Sequence, residues 1–241
     1  MTGSDAERGA RLRQLALDFR WDESAQMDAF VPAGNDEAVA AVKAAADGVA
    51  QPVFLYGPDG VGKSHLLQAA CSRATEAGRT AVYLPLADMS DWSPELLDGL
   101  ENVSLVALDD VGSLSARRDW QEALFYLFNR LRDAGGQMVV ADRQRPDGLG
   151  FSLADLVSRL QWGLVFRLRE LDDDGRLEAL RRRAHGRGLE LPDETARYLL
   201  AHYPRQTRYL FGLLEELDVA SLQAKRRLTI PFIKSVLGAA D

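Results

Sequence analysis

The sequence predicts an α/β fold: a parallel sheet with helices on both faces, followed by a small all-helical domain. Three observations predict it. Short apolar runs alternate with helix-length patterns between about residues 36 and 168, the rhythm of a parallel sheet covered on both sides. A glycine-rich turn at residues 57–64 sits between the first of those runs and a helix. After about residue 170 the apolar runs stop and only helical spacing continues.

Residues 1–13 are polar and charged, and a short apolar cluster follows, Gln14-Leu15-Ala16-Leu17-Asp18-Phe19. The alanine-rich stretch 36–48 reads as a helix. Residues 53–56 read as the first strand, ending at Gly57, and helical signals run from Lys63 to near Gly78. Residues 80–86 and 103–108 read as the second and third strands. Over 117–134, Trp120, Leu124, Leu127, Phe128 and Leu131 recur at helical spacing, and Gly135-Gly136 closes that helix. Residues 137–141 and 164–168 complete the strands. The stretches 172–186, 193–202, 205–225 and 231–237 read as helices. Asp193 follows Leu191-Pro192 at one start, and Thr229 offers an N-cap with Pro231 in the first turn at another. Trp120, Trp162 and the leucine stripes are expected in the core.

The 241 residues are 46% hydrophobic and 27% charged, enough for a buried core. The net charge of -7 runs against a protein that lives on broad phosphate-backbone contacts. A single cysteine, Cys71, excludes an intramolecular disulfide, and no Cys/His cluster has metal-ligand spacing. The polar N-terminus has no signal-peptide core and no apolar run is long enough to span a bilayer, so a cytoplasmic location is expected.

Gly57-Pro58-Asp59-Gly60-Val61-Gly62-Lys63-Ser64 matches G-x-x-x-x-G-K-[ST], the P-loop, in its required strand–turn–helix context. The glycines let backbone N–H groups turn toward phosphate oxygens, and the following helix adds the positive end of its dipole. Lys63 supplies a cation for the β- and γ-phosphates, and the Ser64 hydroxyl is a candidate Mg²⁺ ligand. His65 follows directly. The plainer alternative is a chance glycine turn. Residues 103–110, Val-Ser-Leu-Val-Ala-Leu-Asp-Asp, read as a Walker B strand that delivers two carboxylates at its C-terminal edge. Asp109 would hold Mg²⁺ and Asp110 would polarise the attacking water; the alternative is a strand-end turn with two acids. The expected domains are an N-terminal segment, 1–22, expected to be flexible; an α/β nucleotide-binding domain, 23–168; and a helical lid, 169–241.

A P-loop domain with a helical lid behind it resembles the AAA+ layout, and several strings resemble its DnaA branch across nearly the whole chain. Phe30-Val31-Pro32-Ala33-Gly34-Asn35 resembles the segment beside the adenine, which implies a nucleotide contact at Asn35. Leu108-Asp109-Asp110-Val111 resembles the Walker B of that branch, although many AAA+ ATPases carry Glu at the second acid. Ala141-Asp142-Arg143 resembles sensor I, which would place Asp142 near the γ-phosphate. Ser158-Arg159-Leu160-Gln161-Trp162-Gly163 resembles box VII, whose arginine reaches a neighbour's nucleotide; the alternative for Arg159 is a salt bridge to Asp155 or Glu170. Arg205-Gln206-Thr207-Arg208 resembles sensor II, which implies that Arg208 leans onto the phosphates.

The head of the chain resembles the Q-L-x-L-x-[LF] peptide that binds the sliding clamp of DNA polymerase, with Gln14, Leu15, Leu17 and Phe19 as anchors and Asp18 where proline is usual. Its alternative is a leader element packed on the domain. With no helix-turn-helix stretch after the lid, the sequence resembles the Hda-like regulators of the DnaA branch. That resemblance implies ADP or ATP with Mg as cofactors, and as partners DnaA, the sliding clamp (β subunit of DNA polymerase III), self-association and weak or indirect DNA contact. It implies negative regulation of chromosomal replication initiation, with Arg159 activating hydrolysis by DnaA and at most weak ATPase activity in the chain itself. The competing expectation is an autonomous ATPase or helicase loader of the same branch that binds single-stranded DNA.

Overall fold

The computed structural model describes residues 25–238 apart from Ala50 and Ser90. The segment 1–22 and its apolar cluster therefore lie outside the described residues. The chain divides into two compact units, one built on Gly34–Arg169 and the other on Glu170–Asp241 together with Asp28–Ala33.

The first unit opens with helix α1 (Asp36–Ala46) and strand β1 (Val53–Tyr56). Helix α2 (Lys63–Glu76), strand β2 (Ala81–Pro85) and strand β3 (Leu105–Asp109) follow. Helix α3 (Arg118–Asp133), strand β4 (Gln137–Asp142), helix α4 (Ala154–Trp162) and strand β5 (Leu164–Arg167) complete it. The five strands form one sheet in the order β2-β3-β4-β1-β5, with every pairing parallel. β3 and β4 are buried along their whole length, which is why they read as unbroken apolar runs rather than alternating ones.

Alternate strand residues feed the two faces. Phe54, Val82, Leu84, Val106, Leu108, Met138 and Val140 meet the apolar stripe of α3 and Leu156 and Leu160 of α4 in one core. On the other face α1 and α2 lie over the central strands and bring mostly small side chains, among them Ala45, Ala46, Ala69 and Ala70, all at most 1% exposed. Helix α3 ends as its glycines require: Gly135 takes φ 75°, and Gly136 N donates to Leu131 O at 2.9 Å.

One local expectation needs correction. Trp120 is fully buried, but Trp162 is 53% exposed, its ring edge-on to Phe128. Leu156 and Leu160, one helical turn apart, take the buried side of α4, and Trp162, two residues beyond Leu160, points about 200° away from it. The same sparse pattern is why α4 itself was not legible: two buried residues in nine make too little stripe.

The second unit is helical: α5 (Asp173–Gly186), α6 (Asp193–His202), α7 (Thr207–Ala224) and α8 (Ile230–Leu237). Its core gathers Leu180, Leu199, Leu214, Leu217, Phe232 and Ile233. Asp172 caps α5 by accepting from Gly175 N at 2.8 Å, and Thr229 caps α8 by accepting from Phe232 N at 3.4 Å. The basic run Arg181-Arg182-Arg183 is paired along its length, with Asp193, Glu178 and Glu215 respectively. Arg182 also donates to the carbonyls of Asp28 and Phe30, tying that short segment to the helical unit.

Leu108 lies on β3 with no exposed surface. Leu108→Ala is expected to lower unfolding free energy by about 2–5 kcal/mol in urea denaturation, through lost burial and the cavity left behind.

Candidate functional site

The strand order brings three chain segments to one edge of the sheet. β1 lies beside β4 with Tyr56 opposite Asp142, and β4 lies beside β3 with Val140 opposite Leu108. The turn after Tyr56, Asp109 at the end of β3 and Asp142 at the end of β4 therefore emerge side by side, at the carboxyl ends where such sheets hold ligands.

The turn is shaped by its glycines. Gly57 passes so close to the next strand's exit that an added Cβ would stand 2.7 Å from Leu168 O. Gly62, at φ 94°, is the N-cap of α2, and no side chain caps that helix start. Its first N–H groups are left for an anion. Pro58, Asp59 and Gly60 are exposed, whereas Val61 is buried. Lys63 is only 6% exposed, and its Nζ donates to Gly57 O and Pro58 O, each at 2.8 Å. Burial pulls the Lys63 ammonium below its ordinary pKa, and the charges of Asp59, Asp109, Asp110 and Asp142 work in the opposite direction.

The carboxylates are held tightly. Asp109 is 3% exposed; its Oδ2 accepts from the Tyr83 hydroxyl at 2.8 Å and its Oδ1 from Asp110 N at 3.1 Å. Asp142 accepts from Gly112 N at 2.6 Å and from Gln144 N at 3.1 Å, so its carboxylate joins the segment after β3 to the loop after β4. Asp110 has left-handed backbone, φ 52° and ψ 47°. Burial raises its pKa, the negative charges of Asp109 and Asp142 add to the rise, and Lys63 and Arg143 oppose it. A cavity of about 380 Å³ opens beside these groups, with Asp110, Gly112, Asp142, Arg143 and Gln144 in its wall.

The other expected residues are dispersed. Asn35 is 4% exposed, and its amide makes a reciprocal pair with the Arg169 backbone: Nδ2 donates to the carbonyl at 3.2 Å and Oδ1 accepts from the N–H at 2.8 Å. His65 Nε2 lies 3.0 Å from Gln26 O. Arg159, on α4, forms no ion pair with Asp155; its guanidinium lies over the Phe125 ring, 5.9 Å from the centroid. Arg208 is exposed in the first turn of α7, in the helical unit. Gln14, Leu15, Leu17 and Phe19 lie outside the described residues.

Sequence reasoning passed over three contributors. Tyr83 reaches Asp109 from the neighbouring strand β2, a pairing that no sequence spacing announces. Arg143 reaches back to the turn, its Nε 2.9 Å from Asp59 Oδ1. Gln121 is fully buried on α3, where its Nε2 donates to Leu114 O and Ser115 O while its Oε1 accepts from Ser152 N and Leu153 N. It links the segment after Asp110 to the start of the Arg159 helix. Its signal was available: position 121 falls on the stripe of Leu124 and Phe128, where a polar residue must find buried partners.

Residues 22–167 match the family described as the bacterial DnaA ATPase domain. The chain belongs to the DnaA-related AAA+ family. Residues 173–237 match the Hda lid domain, so this is an Hda-like member with a DnaA-type body. Its structure is similar to domain III of the Thermotoga maritima replication initiation protein DnaA, at 26% identity and a TM-score of 0.76, covering 91% of this chain and 98% of that one. It is similar to AMPPCP-bound DnaA from Aquifex aeolicus, at 30% identity and a TM-score of 0.69, covering 85% and 68%. It is also similar to a replication initiator DnaA bound to AMPPCP and single-stranded DNA, at 28% identity and a TM-score of 0.71, covering 86% and 69%.

In this DnaA relative the donor set fits a polyphosphate carrying a hard cation. Glycine-exposed backbone amides, the Lys63 ammonium and an uncapped helix start suit phosphate oxygens. Among the described residues no group of three or more His, Cys, Asp or Glu forms a metal cage. A magnesium ion would take Ser64 and Asp109 as its protein ligands and complete its shell with phosphate oxygens and water, its usual habit.

Because burial and like charge raise the Asp110 pKa in the folded protein, the folded state holds that proton more firmly than the unfolded chain does. Stability is therefore lost as pH rises from the ordinary carboxylate range through the raised value. Asp110→Asn removes that loss, and asparagine also tolerates left-handed backbone. The variant is expected to melt higher than the wild type above the raised value, with the gap narrowing as the pH falls through that value into the ordinary carboxylate range, as thermal denaturation across pH will check.

Proposed function

We propose that this protein is a nucleotide-bound regulator of DnaA, which docks on the DNA polymerase sliding clamp and stimulates DnaA to hydrolyse its ATP, restraining chromosomal replication initiation. The observation that carries this reading is the Hda-type lid match directly behind a DnaA-type body. The nucleotide part is supported by the buried Lys63 at the P-loop and by the AMPPCP found in a similar DnaA.

In this reading ADP or ATP lies across the P-loop. The backbone amides of residues 57–65 and Lys63 hold its phosphates, and Asn35 fixes the segment beside its base by clasping Arg169. Ser64 and Asp109 would hold a magnesium ion, which would neutralise phosphate charge when bound. Asp142 braces the loops around the phosphate end, and Arg208 acts as the lid's sensor. Asp110 is a shorter acid than glutamate, which suits a chain with weak hydrolysis of its own.

The activating group is Arg159. An arginine stays charged at any physiological pH and pairs bidentately with phosphate oxygens. Offered to the ATP site of DnaA, such a group stabilises the charge that develops in phosphoryl transfer and accelerates it by about 10³–10⁵. Its lack of a pairing carboxylate at Asp155 leaves the guanidinium available for that use. Gln14, Leu15, Leu17 and Phe19 anchor the chain to the clamp. A second reading, single-stranded DNA binding in the manner of a helicase loader, draws on the similar DnaA bound to single-stranded DNA; the net charge of -7 weighs against it.

Lys63→Ala is expected to weaken binding of a fluorescent ADP analogue by about 10- to 100-fold, the worth of a charge-assisted hydrogen bond. An unchanged titration curve would remove the nucleotide reading. In a reconstituted assay with DnaA-ATP and clamp loaded on DNA, the wild type is expected to raise turnover. Arg159→Ala is expected to lose the effect while still binding nucleotide, and deletion of residues 14–19 to lose it together with retention on immobilised clamp. Full stimulation by Arg159→Ala rejects the arginine role, and clamp retention by the deletion rejects the docking role.

A further inference from the structure

We infer that Tyr83 is a positioning residue for the magnesium site, its hydroxyl fixing the Asp109 carboxylate in the arrangement that a nucleotide-bound cation needs. The inference rests on the nucleotide reading above and adds to it a residue that belongs to neither the P-loop nor the Walker B strand.

The geometry is set by the sheet. In the β2–β3 register Tyr83 stands opposite Ala107 and Pro85 opposite Asp109. Side chains two apart on a strand share a face, so Tyr83 and Asp109 lie on the same face as diagonal neighbours. The Tyr83 side chain is buried, 7% exposed, and its hydroxyl donates to Asp109 Oδ2 at 2.8 Å. Asp109 Oδ1 is held by Asp110 N, so the two bonds together stop the carboxylate from rotating.

This matters for magnesium in particular. The ion demands near-ideal octahedral geometry at about 2.0–2.1 Å and tolerates little ligand wander. A carboxylate ligand depends on the hydrogen bonds that orient it, and removing such a partner typically costs about 10- to 100-fold in metal affinity. A phenylalanine at position 83 would fill the same space in the core, yet would leave Asp109 Oδ2 without its donor. The hydroxyl therefore serves the site rather than the packing.

The test uses the full chain and titrates a fluorescent ADP analogue at a series of magnesium concentrations and in EDTA. Tyr83→Phe is expected to raise the magnesium concentration needed for half-maximal enhancement of binding by about 10- to 100-fold, while its affinity in EDTA stays near that of the wild type. In an Asp109→Asn background the same substitution is expected to add no further shift, because its effect passes through that carboxylate. An unchanged magnesium half-point, an equal loss of affinity in EDTA, or a full additional shift in the Asp109→Asn background each overturns the inference. Absence of ADP binding by the wild type overturns the nucleotide reading and the inference with it, whereas a wild type that binds beside an indistinguishable Tyr83→Phe rejects the inference alone.

Discussion

The burial of the Lys63 ammonium governs the site. A cation that is 6% exposed cannot stand alone in a protein interior. Here it is held by two carbonyls of its own turn and by the field of four carboxylates that converge on it. That convergence is possible because β1, β3 and β4 are parallel neighbours and end at the same edge. Were β1 displaced from β4 in the sheet, Lys63 would be separated from Asp109 and Asp142, and each would be a buried charge without a counterpart.

The site is also braced from behind. Asp142 uses both oxygens on backbone N–H groups, Asp109 uses both on Tyr83 and Asp110, and Arg143 returns to Asp59 at the tip of the turn. Gln121 carries the bracing outward, since a single buried amide satisfies the segment after Asp110 with its nitrogen and the start of the Arg159 helix with its oxygen. Removing it would orphan several buried backbone groups at once. The segment beside Asp110 and the helix that carries Arg159 are therefore positioned through one side chain.

The Hda-type lid match and the DnaA-type body make this chain a relative of the replication initiators built on the same scaffold. Family membership and chemistry rest on different residues. In this chain the acid after Asp109 is Asp110, in left-handed backbone, and the Arg159 guanidinium rests on the Phe125 ring.

The sequence by itself determined most of the elements and the motif. The spans of β1 and α6 were legible to the residue, because unbroken apolar runs and start signals at prolines are local properties of the chain. The P-loop was legible because a phosphate cradle needs glycines, lysine and serine at fixed spacing. Only the tertiary structure decided which strands are neighbours, and with that the reach of Tyr83 to Asp109 and of Arg143 to Asp59. It also decided that Trp162 faces outward, and that Asn35 spends both amide atoms on a backbone 134 residues away. These are contacts between segments distant in sequence, and strand order and burial direction are set by the packing of the whole sheet, which no local pattern encodes.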